Sequence, residues 1–333
     1  MISPIKQNHI SIGKQSVENN SKINMAEEFC NYYLKKDEQL VQHHRTVLIT
    51  FTVFDLIFSL VATVGNILAV CGLWKASSIP ATIKTLFLSL AFSDLAVGSL
   101  VQSIRGIIIA VMLRMAANGN YNFDIFCPTT LTLWIFSAFL LVCASCLNIT
   151  AIAVDRLLAL SLHLRYQELV TSKRVITTLV FLWLSSGVAS SIFILLPSNN
   201  NVVVAIISFA GLLLTSVAYV RIQRIVRYHQ RQIQSQHQQQ NTQTLEKLRE
   251  NKAALNALVV YVVFLVCCLP YVCCLLLLII NSSRVSFWAA YYASFFFVFL
   301  NSSINPLIYC WRYREIREIV KSKVKKAFNI TET

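Results

Sequence analysis

Apolar residues are gathered into seven long runs that are separated by short polar segments. The runs cover residues 46–74, 83–113, 128–160, 174–197, 202–226, 251–280 and 286–310. As a helix, each run is long enough to cross about 30 Å of hydrocarbon. In lipid every backbone polar group must be hydrogen-bonded within the protein, so runs of this length must be helical. The pattern predicts an all-α membrane protein in which residues 46–310 form a bundle of seven transmembrane helices.

The segments on either side of the bundle are polar. Residues 1–45 are mixed in charge and predict a disordered extracellular tail. They show no feature of a cleavable signal peptide, so the first span is expected to direct membrane insertion. Apolar residues recur at helical spacing among Lys and Arg from Trp311 to Val324. Residues 311–333 are therefore expected to form a short amphipathic helix on the inner membrane surface, followed by a tail.

The distribution of charge orients the predicted bundle. The chain has a formal net charge of +14, is 56% hydrophobic and has only 13% charged residues. Most Lys and Arg lie in loops on one side of the spans, which is the positive-inside pattern of a membrane protein. The N-terminus is therefore expected outside and the C-terminus inside, in the plasma membrane. The basic residues are expected to contact anionic membrane lipid and not nucleic acid.

Covalent modifications are predicted for the outer segments. Of the ten cysteines, only Cys30 and Cys127 fall in these segments. In an oxidising space they either pair as one disulfide or remain free thiols. The sequons that begin at Asn19 and Asn281 lie in the outer tail and in an outer loop, and both are expected to carry glycans.

Polar side chains inside the spans are the first candidates for function, because burying them in lipid is costly. Those nearest the middle or inner half of their spans are Asn66, Asp94, Ser145, Asn301 and Asn305. One aspartate among neutral oxygen-bearing side chains suits a small hard cation such as sodium, held at Asp94. The alternative is a protonated Asp94 in a hydrogen-bond network that only joins helices.

Several of these residues lie in motifs that resemble those of rhodopsin-like G-protein-coupled receptors. In chain order the motifs are Gly65-Asn66, Leu90-Ala91-Phe92-Ser93-Asp94, Asp155-Arg156-Leu157, Trp183, Tyr219, Phe264 with Cys267, Cys268 and Pro270, and Asn305-Pro306-Leu307-Ile308-Tyr309. The resemblance runs from about residue 46 to 325. It implies a seven-helix receptor whose intracellular partners are a heterotrimeric G protein and arrestin, and it favours an allosteric sodium ion at Asp94.

The resemblance also assigns roles at the inner end of the bundle. Arg156, beside Asp155, is expected to form a salt bridge with Glu250 that holds the sixth helix inward. When the bridge opens, Arg156 and Tyr219 would face the G protein. The alternative is that Glu250 pairs with Lys247 on its own helix.

Two prolines are expected to kink the last two spans. Pro270, with Phe264 and Cys268, is the predicted hinge of the sixth helix. In the seventh helix Asn305, Pro306 and Tyr309 complete the predicted switch.

The chain departs from the family pattern in several places. Cys268 stands where Trp is usual, so ligand binding is expected to reach the switch through another contact, such as Phe264 or Tyr271. Gly211 stands where the fifth helix usually has Pro, and the second outer loop is short and has no Cys. These departures are similar to melanocortin receptors, and the inner ends of the last two helices resemble adenosine receptors. The chain is therefore placed near the group that joins both families with cannabinoid and lysolipid receptors.

The outer halves of the spans predict an apolar, aromatic ligand pocket. Its aromatic candidates are Phe136, Phe139, Tyr271, Tyr291, Tyr292, Phe295 and Phe299. Two charges accompany them, Asp55 in the first span and Arg105 in the second. Either these two form an ion pair between neighbouring helices, or Arg105 receives an acidic headgroup of the ligand. The pocket suits a lipid-like acid or a small amphipathic molecule, and small-molecule, lipid and peptide ligands all stay open.

Other classes of membrane protein fit the sequence less well. A transporter would show internal repeats or broken helices. An enzyme would need a deep nucleophile–base or metal constellation, which the spans do not suggest. The remaining alternative is a seven-helix receptor that binds or scavenges a ligand without signalling, which Leu157 and Cys268 would suit.

Overall fold

The computed structural model describes residues 30–120, 122, 124–126, 129–162, 165–195, 200–235, 242–280 and 285–327. Within that part of the chain, seven helices are long and apolar enough to cross a membrane. The spans lie, in order, in the helices Arg45–Lys75, Ala81–Ala117, Thr129–Leu162, Ser172–Leu195, Asn200–Ser235, Thr242–Ile280 and Val285–Arg312. The described residues contain no strand. The predicted all-α bundle of seven spans is confirmed.

The bundle places its polar side chains inside and much of its apolar surface outside. Leu60, Phe181 and Leu307 are 69%, 67% and 66% exposed, whereas Asn66 and Asp94 are fully buried. Soluble proteins rarely leave large contiguous apolar areas facing water. The arrangement is that of a protein whose outer surface faces lipid.

The second span contains a π-helical segment, Val97–Gln102, that shapes its outer half. The backbone carbonyl of Val101 in this segment accepts a hydrogen bond from Trp134 Nε1 of the third span at 2.9 Å. π-Helical turns occur inside α-helices mostly at functional positions. This segment immediately precedes the turn that carries Arg105.

A further helix, residues 30–43, precedes the first span and packs on one end of the bundle, here called the outer end. Cys30, Leu34, Asp37 and Val41 recur every three or four residues and are all buried. His44 is the single non-helical residue between this N-terminal helix and the first span. The prediction of a disordered tail is therefore wrong for residues 30–43, because the spacing of these side chains lets one helical face pack on the bundle.

The C-terminal helix, Arg314–Ala327, lies at the opposite, inner end, as the sequence predicts. Its Glu315 carboxylate accepts hydrogen bonds from the backbone N–H groups of Ser77 and Ser78, at 2.8 and 3.0 Å, and from both hydroxyls. These bonds, led by the Ser78 hydroxyl, lower the pKa of Glu315 to about 2. Ile316 is fully buried against Gly72 of the first span, where a Cβ would approach within 2.8 Å. The helix is thereby fixed to the first span and the loop that follows it.

Candidate functional site

A cavity of about 400 Å³ lies in the outer half of the bundle. The predicted pocket residues that line it are Arg105, Phe139, Tyr271, Tyr291, Tyr292, Phe295 and Phe299. Asp55 and Phe136 do not line it. Its volume lies within the usual range for small-molecule sites, about 300–1,000 Å³. This space is called the outer cavity below.

Aromatic rings from the sixth and seventh spans form one wall of the outer cavity. Phe295 lies 5.3 Å from the ring of Tyr271 and 4.8 Å from that of Tyr291. Phe295 also stacks on Phe299 with ring centroids 6.0 Å apart. Such offset and edge-on contacts hold large rings in fixed positions. The wall is therefore preformed.

The N-terminal helix covers the outer end of this cavity. Tyr33, Lys36, Asp37 and Leu40 all line the cavity from that side. The ammonium group of Lys36 lies 5.3 Å from the ring of Trp288, within the range of a cation–π contact. Burial, and secondarily the neighbouring charge of Lys35, lowers the pKa of Lys36. None of these four residues of the N-terminal helix was predicted to line the pocket. The helical spacing of the apolar positions in residues 30–43 could have indicated a helix that packs there.

Arg105 is buried and fully engaged at the outer end of the cavity. Its two terminal nitrogens donate to the two carboxylate oxygens of Asp37, at 3.1 and 3.3 Å. Its guanidinium carbon lies 4.5 Å from the ring of Trp134 and 4.7 Å from that of Tyr292. Both members of the ion pair are buried, at 6% and 7% exposure. The sequence located Arg105 but not its partner.

Asp55 does not form the ion pair with Arg105 that was one of the two predicted alternatives. It is 4% exposed, and its Oδ1 atom has no hydrogen-bond partner among the described residues. The salt bridge of Arg105 is made with Asp37. The reason is geometric: the side chain of Arg105 faces the cavity, which Asp55 does not line.

Phe264 connects the outer cavity with the polar core of the bundle. With Cys268 it lines the cavity. It also lines a void of about 10 Å³ together with Ser145, Asn301 and Ser302. A void of this size holds about one water molecule. Phe264 therefore contacts both spaces, and whether ligand binding reaches the switch through Phe264 or through Tyr271 stays a prediction.

Asp94 is the centre of the polar core. Its two oxygens accept hydrogen bonds from Ser302 Oγ at 2.8 Å and from Asn305 Nδ2 at 2.7 Å. Asn66 Nδ2 donates to the backbone carbonyl of Ser302 at 2.9 Å. Sequence reasoning missed Ser302, although its place beside Asn301 in the seventh span could have indicated it.

Several side-chain oxygens of the polar core are buried without a hydrogen-bond partner in the part of the chain that the structure describes. They are the side-chain carbonyl oxygens of Asn66, Asn301 and Asn305. Ser145 instead shares a 3.1 Å hydrogen bond with Ser93. A carboxylate surrounded by neutral oxygens fits a small hard cation. The described residues contain no group of three or more His, Cys, Asp or Glu side chains that could hold a metal. In a sodium site here, Asp94 would therefore be the negatively charged ligand, and the other ligands would be neutral oxygens.

At the inner end of the third span, Arg156 forms a buried ion pair with its neighbour Asp155. Tyr166 donates a hydrogen bond to Asp155 at 2.8 Å and shares one of 3.2 Å with Thr82. Burial, with the added charge of Asp155, raises the pKa of Tyr166 to about 12. Tyr166 is therefore a proton donor at neutral pH and holds Asp155 in place.

The fifth and sixth spans meet close by. Tyr219 donates a hydrogen bond to the backbone carbonyl of Ala257 at 3.0 Å and stacks on Tyr261, with ring centroids 4.5 Å apart. Glu250 lies in the helix Thr242–Ile280, but its side chain is outside the described part. The bridge between Arg156 and Glu250 therefore stays a prediction.

Both prolines and the end of the seventh-span motif lie in described helices, and their roles as hinge and switch stay predictions. Pro270 lies inside the sixth-span helix and Pro306 inside the seventh. Tyr309 is fully buried, 5.3 Å from the ring of Phe87, and its hydroxyl has no hydrogen-bond partner.

The predicted modification sites lie mostly outside the described residues. Cys30 is disulfide-bonded, but its predicted partner, Cys127, is not among these residues. Asn19 and Asn281 are also outside them. The pairing and the glycans stay predictions.

Comparison with known proteins agrees with this arrangement. The family described as "7 transmembrane receptor (rhodopsin family)" matches residues 65–205 and 196–309. Melanocortin receptor 4 of Danio rerio is 26% identical over 291 residues, covering 84% of this chain and 84% of that receptor. Melanocortin receptor 3 of Mus musculus is 26% identical over 273 residues, covering 80% and 82%. The histamine H2 receptor of Cavia porcellus is 25% identical over 300 residues, covering 81% and 77%.

The chain therefore belongs to the rhodopsin family of G-protein-coupled receptors. Membership implies a multi-pass membrane protein that has an extracellular ligand and a G protein as partners. Members of the family are receptors and not enzymes. The resemblance drawn from the motifs is confirmed, and melanocortin receptors are among the similar proteins.

Proposed function

We propose that this protein binds an extracellular ligand in the outer cavity and activates a heterotrimeric G protein by outward movement of the sixth helix. The N-terminus faces outward and the receptor lies in the plasma membrane. One observation carries the proposal: the sixth span lines the outer cavity with Phe264 and Cys268 and also contacts the third and fifth spans at the inner end. A ligand that pushes on this helix therefore acts on the inner end as well.

The path between the two ends runs through a few contacts. Phe264 touches both the outer cavity and the void beside Ser145. Further in, the bond from Tyr219 to Ala257 joins the fifth and sixth spans. A helix with an internal proline lacks one backbone hydrogen bond and bends there, so Pro270 is the hinge about which the inner half of the sixth span moves.

The second element of the switch is the salt bridge between Arg156 and Glu250. In its absence Arg156 keeps its contacts with Asp155 and Tyr166, and the inner end of the sixth span is released. Exposed ion pairs contribute about 0–1 kcal/mol, and partly buried ones contribute more. A bias of about 1.4 kcal/mol changes the ratio of two states tenfold, so one bridge is enough to set basal activity.

The switch is tested by measuring basal cyclic AMP and G-protein dissociation in cells without added ligand. Wild type, Glu250→Ala and Arg156→Ala are compared at equal surface levels, with Lys247→Ala as the matched control for a pair within one helix. We expect Glu250→Ala alone to raise basal signalling, by about two- to tenfold. Equal signalling of Glu250→Ala and Lys247→Ala would contradict the bridge.

We also propose that sodium binds at Asp94 and stabilises the resting conformation. The site would consist of Asp94 and oxygens of Ser145, Asn301 and Asn305, with Asn66 in the surrounding network. The unpartnered oxygens of Asn301 and Asn305 and the adjacent void support this choice over a network that only joins helices.

The sodium proposal is tested on purified receptor by thermal unfolding in sodium chloride and in choline chloride at equal ionic strength. Sodium should raise the melting temperature of the wild type by several degrees, because a ligand that binds only the folded state stabilises it. Asp94→Asn, in the second span, should abolish the difference between the salts, and Asn148→Asp would serve as a control that adds a carboxyl in the third span. Equal melting temperatures of the wild type in both salts would refute the proposal.

A receptor that binds without signalling is the second candidate. The Leu after Arg156 and the Cys at 268 favour it, since both replace residues that are usual in the family. It predicts saturable ligand binding with silence from every G-protein family, with or without arrestin recruitment. A response of Glu250→Ala in the basal assay would exclude it.

A further inference from the structure

The wall of the outer cavity includes one carboxylate, that of Asp37. Three charged side chains line it, namely Lys36, Asp37 and Arg105, and the rest of the lining is apolar or neutral. Asp37 belongs to the N-terminal helix and occupies both terminal nitrogens of Arg105. The cavity wall thus carries two cations and one anion, and the anion is supplied by the segment that covers the cavity.

Arg105 loses its direct counter-ion if Asp37 moves away without replacement. It is 6% exposed and lies between the rings of Trp134 and Tyr292. A buried guanidinium without a counter-ion is strongly unfavourable, because it has lost its hydration and gained nothing in return. Asp55, the other nearby acid, forms no salt bridge with Arg105 and does not line the cavity. We therefore expect the group that separates Asp37 from Arg105 to bring a negative charge of its own.

The geometry of the pair also specifies the shape of the replacing group. The two nitrogens each meet a different oxygen of Asp37, so the guanidinium fork already fits a planar, two-oxygen acid. A cationic ligand would be repelled by Lys36 and Arg105, and the one acid that lines the cavity, Asp37, is already paired with Arg105. A neutral ligand would leave the pair closed and gain no ionic contact.

We propose that the outer cavity takes an amphipathic carboxylic acid, whose carboxylate replaces Asp37 on Arg105 while its apolar body fills the aromatic cavity. The inference rests on the proposed function only in placing the ligand in this cavity. Lys36, held over Trp288 at the rim, is the second cation that the incoming acid meets. Asp37 acts as a built-in competitor that keeps Arg105 neutralised when no acid is bound.

The exchange happens at the side chain of Asp37 and not by removal of the whole N-terminal helix. Cys30 at the start of this helix is disulfide-bonded. At its other end only His44 separates it from the first span. With both ends held, the helix stays over the cavity, and Asp37 is displaced within it.

The test is direct binding to the purified full-length receptor in lipid nanodiscs, which requires no signalling. The probes are tritiated oleic acid and decanoic acid, each compared with the alcohol of equal chain length. The variants are Asp37→Asn, Arg105→Gln and Lys36→Gln. Arg114→Gln is the matched control, since Arg114 is an exposed arginine of the same span that does not line the cavity.

We expect saturable binding of at least one acid and weaker binding of its alcohol. Asp37→Asn should tighten acid binding roughly tenfold, because the competing carboxylate is gone, and Arg105→Gln should weaken it by a similar factor. Lys36→Gln should weaken it less, and Arg114→Gln should have no effect. Neither Asp37→Asn nor Arg105→Gln should change the binding of the alcohol.

Three results would overturn the inference: no saturable binding of either acid, equal binding of acid and alcohol by the wild type, or weaker acid binding by Asp37→Asn. If Arg105→Gln or Asp37→Asn fails to fold, the comparison of acid with alcohol on the wild type still decides, since it requires no variant. Acid binding together with silence in the basal and ligand-stimulated G-protein assays would leave this inference standing and refute the proposed signalling function.

Discussion

At the scale of single residues, Gly98 shows how closely the first two spans approach. A Cβ atom at this position would lie 2.7 Å from Cβ of Ala62 and 3.0 Å from the backbone nitrogen of Thr63. Backbone atoms of a packed helix have little room to move, so the clash would separate the spans. The same approach lets Ser59 donate a hydrogen bond to the Gly98 carbonyl at 2.8 Å.

We therefore predict that Gly98→Ala lowers the stability of the bundle by about 1–3 kcal/mol, the usual cost of overpacking. Thermal unfolding of the purified protein measures it. Gly187→Ala is the matched control, because nothing lies within 4 Å of the Cβ it would add. That change should leave stability unaltered or raise it by up to about 1 kcal/mol through helix propensity. Equal melting temperatures for the two variants would contradict the packing argument.

The sequence predicted that Arg105 is a candidate for function, but it did not predict which acid pairs with Arg105. Arg105 stands out in the sequence because it is a charged residue within an apolar run, and a residue of this kind is a candidate to bind an acidic ligand. Its partner is 68 residues away in the chain, in a segment that looked like a tail. Which acid meets Arg105 depends on how three helices are rotated about their axes, and no local pattern records that.

At the scale of elements, the N-terminal helix packs on the outer end through apolar side chains and carries the disulfide-bonded Cys30. Cys30, Leu34, Leu40 and Val41 belong to the same buried cluster as the cavity residue Trp288. We predict that Cys30→Ser lowers the stability of the folded receptor by about 2–4 kcal/mol, the usual contribution of one disulfide.

The measurement is the melting temperature of the purified receptor, with Cys273→Ser as the control. Cys273 is a free and exposed cysteine, so its replacement should have no effect. If Cys30→Ser melts at the wild-type temperature, the helix is held by its apolar face alone. Reduction of the wild type should reproduce the effect of Cys30→Ser.

The C-terminal helix should respond to acid. In the folded protein the pKa of Glu315 lies at about 2, well below the ordinary value of 4.5. A lowered pKa means that the folded contact is fully present above pH 4.5 and is lost as the pH falls from there towards about 2. The hydrogen bonds to Ser77 and Ser78 then weaken, and the start of the helix loosens from the inner loop.

This prediction is checked by electron paramagnetic resonance of a nitroxide attached at Lys321→Cys. The label should be immobile at neutral pH and become more mobile near about pH 3. In Glu315→Gln it should be mobile at both. A label at Arg224, on the helix of the fifth span, should show no change with pH, and a wild-type signal independent of pH would contradict the role of Glu315.

At the scale of the whole molecule, orientation decides which end meets the ligand. The loops of the inner end carry most of the positive charge, so the end with the N-terminal helix should lie outside the cell. We predict glycans at Asn19 and Asn281 and none at the sequons of Asn148, Asn301 and Asn329. The first two lie on the outer side in this orientation.

Gel mobility after glycosidase treatment of whole cells tests this directly. Treatment should increase the mobility of the wild type, and Asn19→Gln and Asn281→Gln should each remove part of the shift. The double variant should show none. A shift that depends on Asn329 instead would place the C-terminus outside and reverse the orientation.

The sequence by itself determined the number, the approximate bounds and the helical nature of the spans, and with them the family. The reason is that hydropathy is summed along the chain: about 20 apolar residues must cross lipid as a helix, whatever packs beside them. It also located Asp94, Arg156, Phe264 and Asn305 as candidates, because each belongs to a motif that is contiguous in one helix, and their roles stay predictions.

Only the tertiary structure decided what depends on contacts between distant segments. These are the cover formed by residues 30–43, the pair of Asp37 with Arg105, the exclusion of Asp55 and Phe136 from the outer cavity, and the bond from Ser302 to Asp94. Each contact depends on how a helix is rotated and where it lies against its neighbours. Packing across the whole bundle fixes those quantities, and the composition of a single segment does not.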